Sequence, residues 1–368
     1  MNNLISKVKE CLLDQPGSVD AECFFPEKTI SSLKNTGLLG LISSTDVGGM
    51  GEGIKEASVV CETIAQHCAS SAMITCMHYC ATAVIEQFGD TETRKNIAAG
   101  KHLSTLAFSE YGSRSHFWAP LSTAKDEGGY FSISARKSWI TSAHFADSYI
   151  WSSQSVSKKS TSSIFIVPAK SDGISIISPY FGLGLRGNDS CPVQAENVKI
   201  PKHNILGKDG DGFSIMMGTV LPMFSILNSS ISVGIMNSAL TEAIRHCSET
   251  SYEHLGQSLA DLPTIRAYLA KASIQLDTAK AIRDKAINSI LENSDDAMLD
   301  VLKVKAACGE SAVQVCDLAM RVCGGAAFRK EVGVERNFRD ARASFIMAPT
   351  SDALYDFIGK ALCGMELF

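Results

Sequence analysis

The chain has 368 residues, 45% hydrophobic and 20% charged, with a formal net charge of −5 and both signs interspersed. That length can bury more than one core. With no Lys/Arg block to track phosphates, nucleic acid is excluded as an expected partner.

The twelve cysteines fall inside apolar stretches without a C-x-x-C pair. They read as buried thiols of a reducing, cytoplasmic compartment and not as disulfides. From the start to about Lys101 the pattern is helical. Leu4, Ile5, Val8 and Leu12 share one helix face, which is too interrupted for a signal peptide. "PEKTISSLKNTGLLGL" has helical spacing with Gly37 as a stop, and "GIKEASVVCETIAQHCASSAMITCMHYCATAVIEQFG" keeps a period near 3.6. The glycine-rich "SSTDVGGMGEG" between them reads as a helix connection, since no strand precedes it and no P-loop lysine follows.

From about His102 to Pro201 the texture is β. "GGYFSISARKSWIT", "DSYIWSSQSV", "SSIFIVPA", "GISIIS" and "PVQAENVKIP" are short runs between turn residues, as in a compact antiparallel barrel or sandwich. From Gly212 helices return. Gly212 to Leu240 carries no charge and is long enough to cross a bilayer. Its Pro222, Asn228, Asn237 and serines, without basic flanks, predict instead a helix buried in a helical domain and no membrane. Two further long amphipathic runs, one opening at Pro263 and one after Ser294/Asp295 and closing at Gly324-Gly325, predict an antiparallel bundle. The expected domains are 1–101 helical, 102–211 β and 212–368 helical bundle.

Four passages then carry chemistry. "LAFSEYGSRSHFW" resembles the T-E-P-x-A-G-S-D loop of the acyl-CoA dehydrogenase family, and "ARKSWITSAHFADSYIWSS" its K-x-W-I-T-N-A segment. "LGLRGNDSCPVQAENVKIPKHNILGKDGDGF" is similar to its G-x-R-x-S…N-x-L-G-x-x-G-x-G-F passage, and "CGGAAFRKEVGVERNFRDAR" to its G-G-x-G…V-E-R-x-x-R-D-A-R run. The resemblance covers almost the whole chain. It implies an N-terminal α-helical domain, a central β-barrel or sandwich domain and a C-terminal four-helix bundle. It also implies FAD, with the protein supplying position and electrostatics. By that resemblance Phe108, Ser109, Trp139 and Thr141 meet the flavin ring and Ser115 its pyrophosphate. Gly324 and Gly325 let a neighbouring subunit approach the cofactor, and Thr350 matches the threonine of the family's closing E-G-T.

The departures are as informative. The family's catalytic Glu falls on Ala348, and its alternative position on the first bundle helix falls on Met223 or Phe224, so both base positions are apolar. The catalytic group is therefore open. The arginine that grips a partner's FAD falls on Tyr252 or Thr250, whereas Arg321, three residues before Gly324 where relatives usually have Gln, is expected to bind the cofactor by restoring positive charge near its pyrophosphate. His116 replaces the Asp of G-S-D, while Glu110 is kept and expected to be structural.

Without a Cα base, simple desaturation is disfavoured. The resemblance and the missing Glu together point to oxidation of an aldehyde hydrate or hydroxyl-bearing carbon on a thioester-bound acyl group. The branch with that chemistry makes hydroxymalonyl or aminomalonyl units on acyl carrier proteins for polyketide and peptide assembly. A flavin-dependent monooxygenase or N-hydroxylase, and an inactive scaffold, are the alternatives. Expected partners are a carrier protein or coenzyme A, an electron acceptor, and further copies in a homodimer or homotetramer. Lys158, Lys159, Arg329 and Lys330 are the basic residues available for docking an acidic carrier.

Overall fold

The computed structural model describes residues 1–113, 116–158, 161–177, 181–252 and 256–367. Six helices come first: α1 (Asn2–Glu10), α2 (Pro16–Glu22), α3 (Glu27–Asn35), α4 (Ile54–His67), α5 (Ala69–Phe88) and α6 (Thr91–Ala98). α3 ends where Gly37 takes φ 76°, a left-handed backbone that a side chain would strain. α6 starts on Asp90, whose carboxylate accepts from the Thr93 N–H.

The β region forms one sheet of β1 (Ser104–Ala107), β2 (Thr123–Asp126), β3 (Tyr130–Ile140), β4 (Ser148–Gln154), β5 (Ser162–Pro168), β6 (Ile174–Ile176), β7 (Cys191–Pro201) and β8 (Ile205–Leu206). Its order is β6-β7-β3-β2-β4-β5-β8, with β1 pairing β4 off that path. The pairings are antiparallel except β1–β4 and a single-pair contact between β2 and β4. β4 and β5 are buried on both faces. Tyr149, Trp151 and Phe165 enter the core of the sheet, while Ile150, Ile164 and Ile166 enter the larger helical core. The two-residue alternation of a strand thus ties two cores together.

The bundle consists of α7 (Gly212–Ile215), a π-helical turn at Met216–Val220, α8 (Leu221–Glu249), α9 (Pro263–Leu291), α10 (Ala297–Cys323), α11 (Val334–Ile346) and α12 (Ser351–Leu362). The uncharged stretch beginning at Gly212 is a core helix, with 83% of its most apolar window buried. Three of its buried serines, Ser229, Ser230 and Ser232, each donate to the carbonyl four residues back. Ser230 also bonds Ser58 on α4, and Ser232 bonds Ser344 on α11, both at 2.7 Å. Gly234 permits the close α4 contact, since a Cβ there would meet the Glu62 carbonyl oxygen at 2.6 Å. All twelve cysteines are free, and Cys363 is exposed.

The three regions are bolted at "RDAR". Arg339 donates to both carboxylate oxygens of Asp20 on α2 at 2.8 and 2.5 Å, and to the Leu183 carbonyl at 3.0 Å. Its neighbour Asp340 accepts from the Leu185 N–H at 2.6 Å. One turn of α11 therefore holds both the N-terminal helices and the loop leading into β7.

Candidate active site

A cleft opens where the three regions meet. Its β side is made by Leu106, Phe108, Ser109, Phe117, Trp139 and Ile140. Met77 of α5, Val220, Leu221 and Phe224 at the start of α8, and Ala348 close the other side. The π-helical turn delivers Val220 and Leu221 to this wall, a distortion that often marks functional sites.

Trp139 is the strained member. It sits within a register shift between Lys137 and Ile140 in the β3–β7 pairing, at φ 59°. A bulky residue in the left-handed region costs about 1–3 kcal/mol and persists only where the surroundings enforce it. The bulge turns the indole out of the sheet, leaving it 58% exposed at the rim of the cleft. A large exposed aromatic face beside Ser109 fits a planar, polar-edged ring system such as a flavin. Phe108 is buried and lies parallel to Phe117, from which a chain of edge contacts runs through Trp118 to Phe357 on α12.

Behind this wall Lys137 and Glu110 form a buried ion pair at 2.6 Å. Lys137 also donates to the Ser152 carbonyl (2.7 Å) and hydroxyl (3.1 Å). Glu110 further accepts from the N–H groups of Leu121 and Ser122 and from the Ser122 hydroxyl. Burial pushes the Glu110 carboxyl up, but Lys137 and these donors bring it below its ordinary value. Burial lowers Lys137 to about 8 despite Glu110. With its oxygens fully engaged, Glu110 is a strut for the 110–122 loop and not a proton acceptor.

The structure separates the remaining sequence candidates. Phe224, not Met223, lines the cleft, and Ala348 lines it opposite the β wall. Thr141 is buried just past the bulge, and Thr350 caps α12 by accepting from the Ala353 N–H. Arg321, Gly324 and Gly325 are exposed at the far end of α10, and none of them lines the cleft. The Arg321 guanidinium lies 5.1 Å from the Tyr268 ring centre. Gly324 adopts φ 56° and ψ −136°, a conformation that only glycine takes readily. His116 is exposed and edge-on to Trp118. Thr250 ends α8, and Tyr252 pairs with Gln257 in a short hairpin. Ser115 and Lys159 lie outside the described residues. Lys158 and Arg329 are exposed, while Lys330 lies within 4 Å of Asp20 and Glu335.

Sequence reasoning missed Phe117 and Leu221 as wall residues: Phe117 lies next to last in the first motif passage without matching a motif position, and Leu221 sits in an uncharged helical run that looks like any core segment. Among the described residues lining the cleft none is a carboxylate. A separate cluster lies at the foot of β7. There Asp189 accepts from the His144 N–H (2.7 Å), its ring Nδ1 (2.8 Å) and the Cys191 thiol (3.6 Å), clasping the β3–β4 connection.

Three family models match in the same order as the three regions. They are the acyl-CoA dehydrogenase N-terminal domain over residues 7–100, the middle domain over 105–198 and the C-terminal domain over 210–363. The chain belongs to the acyl-CoA dehydrogenase family. The human mitochondrial short-chain specific acyl-CoA dehydrogenase is 28% identical over 341 residues, 91% of this chain and 82% of that protein. Butyryl-CoA dehydrogenase from Megasphaera elsdenii superposes with a TM-score of 0.91 at 21% identity, covering 98% and 97% of the two chains. The prolyl acyl carrier protein oxidase AnaB gives 0.89 at 21%, over 98% and 97%. FkbI, for biosynthesis of the methoxymalonyl extender unit of a polyketide, gives 0.87 at 19%, over 98% and 99%. The family's members are FAD-dependent oxidoreductases, and the helical, sheet and helical organisation expected from the motifs is the family fold.

Proposed function

We propose that this protein is an FAD-dependent dehydrogenase of a thioester-bound acyl group, carried on an acyl carrier protein. On this reading it oxidises a hydroxyl-bearing or hydrated-aldehyde carbon on the way to a hydroxymalonyl- or aminomalonyl-type unit. The observation that carries the reading is the apolar wall of Phe224 and Ala348 facing Trp139 and Ser109 across the cleft. The structurally similar AnaB, a prolyl acyl carrier protein oxidase, and FkbI, which serves methoxymalonyl extender-unit biosynthesis, point the same way.

Ser109, Trp139 and Thr141, backed by Phe108, are the residues that would hold the flavin ring. When bound, FAD supplies the acceptor for a hydride. The chain's own residues do the rest. Phe108, Leu221 and Phe224 exclude water from the acyl group, and the flat Trp139 rim restricts its orientation. Removing a Cα proton from a saturated acyl thioester needs a positioned base, which contributes about 10²–10⁴-fold. Ala348 and Phe224 offer none. A proton on an oxygen leaves to solvent without such help, so loss of hydride from a carbon bearing a hydroxyl is the oxidation that this wall permits. The exposure of Gly324, Gly325 and Arg321 supports a homo-oligomer in which a second copy of the chain completes the cofactor site.

The test incubates FAD-loaded protein with a panel of carrier-bound and coenzyme A-bound acyl groups, following flavin bleaching and the intact mass of the carrier. Two hydrogens should be lost from a hydroxyl-bearing or hydrated-aldehyde group, while saturated acyl groups stay unchanged. Desaturation of a saturated acyl group at a comparable rate would overturn the reading. Oxygen incorporated from labelled O₂ would replace it with a monooxygenase.

A further inference from the structure

The wall that lacks a base hides a charge. Lys305 on α10 is 1% exposed. Its ammonium donates to the carbonyls of Ser344 (3.3 Å), Met347 (2.9 Å) and Pro349 (2.7 Å). The last two flank Ala348, which lines the cleft. The ammonium also lies 5.8 Å from the ring centre of Phe224, the second apolar residue of that wall.

Among the described residues no carboxylate pairs with it. Helices α8, α9, α11 and α12 pack against α10 and bring charged groups that include Arg283 and Asp284 on α9, Arg336, Arg339, Asp340 and Arg342 on α11, and Asp352 and Asp356 on α12. None contributes to its titration, which burial alone lowers to about 7. Three carbonyl dipoles hold the ammonium without cancelling its formal charge, and a buried cation lacking a counter-ion is costly. A Glu at 348 would place a carboxylate one peptide away. Alanine leaves the charge unbalanced and facing the cleft through a single turn of backbone.

We propose that Lys305 makes this cleft hold the carboxylate that the oxidation creates, so that a malonyl-type acyl group, the acid-level product, binds more tightly than an uncharged one. The inference deepens the function proposed above and rests on its assignment of the cleft to acyl thioesters. An anion in the cleft restores the neutrality that the missing Glu would have provided. Lys305 does not touch the substrate on this account; it acts through the 347–350 turn as a positioning and specificity-determining residue. At an effective dielectric near 20, opposite unit charges roughly 6–10 Å apart correspond to a preference on the order of tenfold to a hundredfold.

The experiment measures binding of malonyl-pantetheine and the similarly sized, uncharged butyryl-pantetheine to FAD-loaded protein by calorimetry, from pH 6 to 9. Pantetheine is the arm shared by coenzyme A and carrier proteins. The malonyl thioester should bind at least tenfold more tightly at pH 6, and the preference should fade as pH rises and Lys305 loses its proton. The malonyl carboxylate stays ionised throughout, so that fading belongs to the protein. Lys305→Met should remove both the preference and its pH dependence. Ala348→Glu, which keeps the lysine and adds a counter-ion, should remove the preference even if the methionine variant folds poorly. Equal affinities in the unmodified protein, or a preference that survives in either folded variant, overturn the inference. If neither thioester binds, the acyl-thioester assignment itself fails and takes this inference with it.

Discussion

The two walls of the cleft each bury a lysine, and the two lysines live differently. On the β wall, Lys137 is paired at 2.6 Å with Glu110, whose remaining capacity is filled by the 121–122 backbone and the Ser122 hydroxyl. On the bundle wall, Lys305 has only carbonyl oxygens. The β wall keeps the family's motif residues and a fully compensated polar network. The bundle wall presents Phe224 and Ala348 to the cleft and buries a cation behind them. One wall thus balances its buried charge and the other leaves it unbalanced.

Substitutions can break that contrast. The largest effect is expected from Ala348→Glu, which makes the bundle wall resemble the β wall. Desaturation of a saturated acyl thioester, monitored by anaerobic flavin bleaching, should rise by about 10²–10⁴-fold, the usual worth of a positioned general base.

Next comes Glu110→Gln, which leaves Lys137 buried and uncompensated. Denaturant unfolding should show a loss of about 3–5 kcal/mol, and Glu110→Gln combined with Lys137→Met should recover much of it.

The third contrast is in pH. Lys305 and Lys137 both have folded values depressed from 10.5, to about 7 and about 8. Between those values and 10.5 the unfolded chain binds more protons, so stability rises with pH. The part of the rise that begins near pH 7 belongs to Lys305 and should vanish in Lys305→Met. The part that begins near 8 should remain.

The smallest effect is at the rim. Trp139→Gly should relieve the left-handed strain and raise stability by about 1 kcal/mol, while FAD affinity, measured by fluorescence titration, falls.

Much of this was legible in the sequence because motifs are local. The W-x-T spacing marked Trp139 and Thr141, and the "FIMAPTSD" turn marked Ala348 and Thr350. The left-handed backbone of Trp139 was not legible, because a bulge is made jointly by β3 and β7, whose flanking pairs there are Lys137 with Val193 and Ile140 with Cys191, far apart in sequence. Nor was the choice between Met223 and Phe224, which depends on the rotation that the π-helical turn imposes on α8. Lys305 stands beside Lys303 in "VLKVKAAC" and reads as one of two solvated helix lysines. Only the packing of α11 and its following turn over α10 buries one and spares the other.

The Arg339 bolt has a consequence for traffic. Swinging the N-terminal helices or the sheet away from the bundle would pull Asp20 from a guanidinium it grips through both oxygens, and would strip Asp340 of the Leu185 N–H. Separating such a pair costs about as much as a severe mutation. Wide gaping between regions is therefore closed to this molecule as a route of entry. On the function proposed above, an acyl group would enter past the rim, where the Trp139 indole stands 58% exposed, by side-chain rotation and not by domain travel.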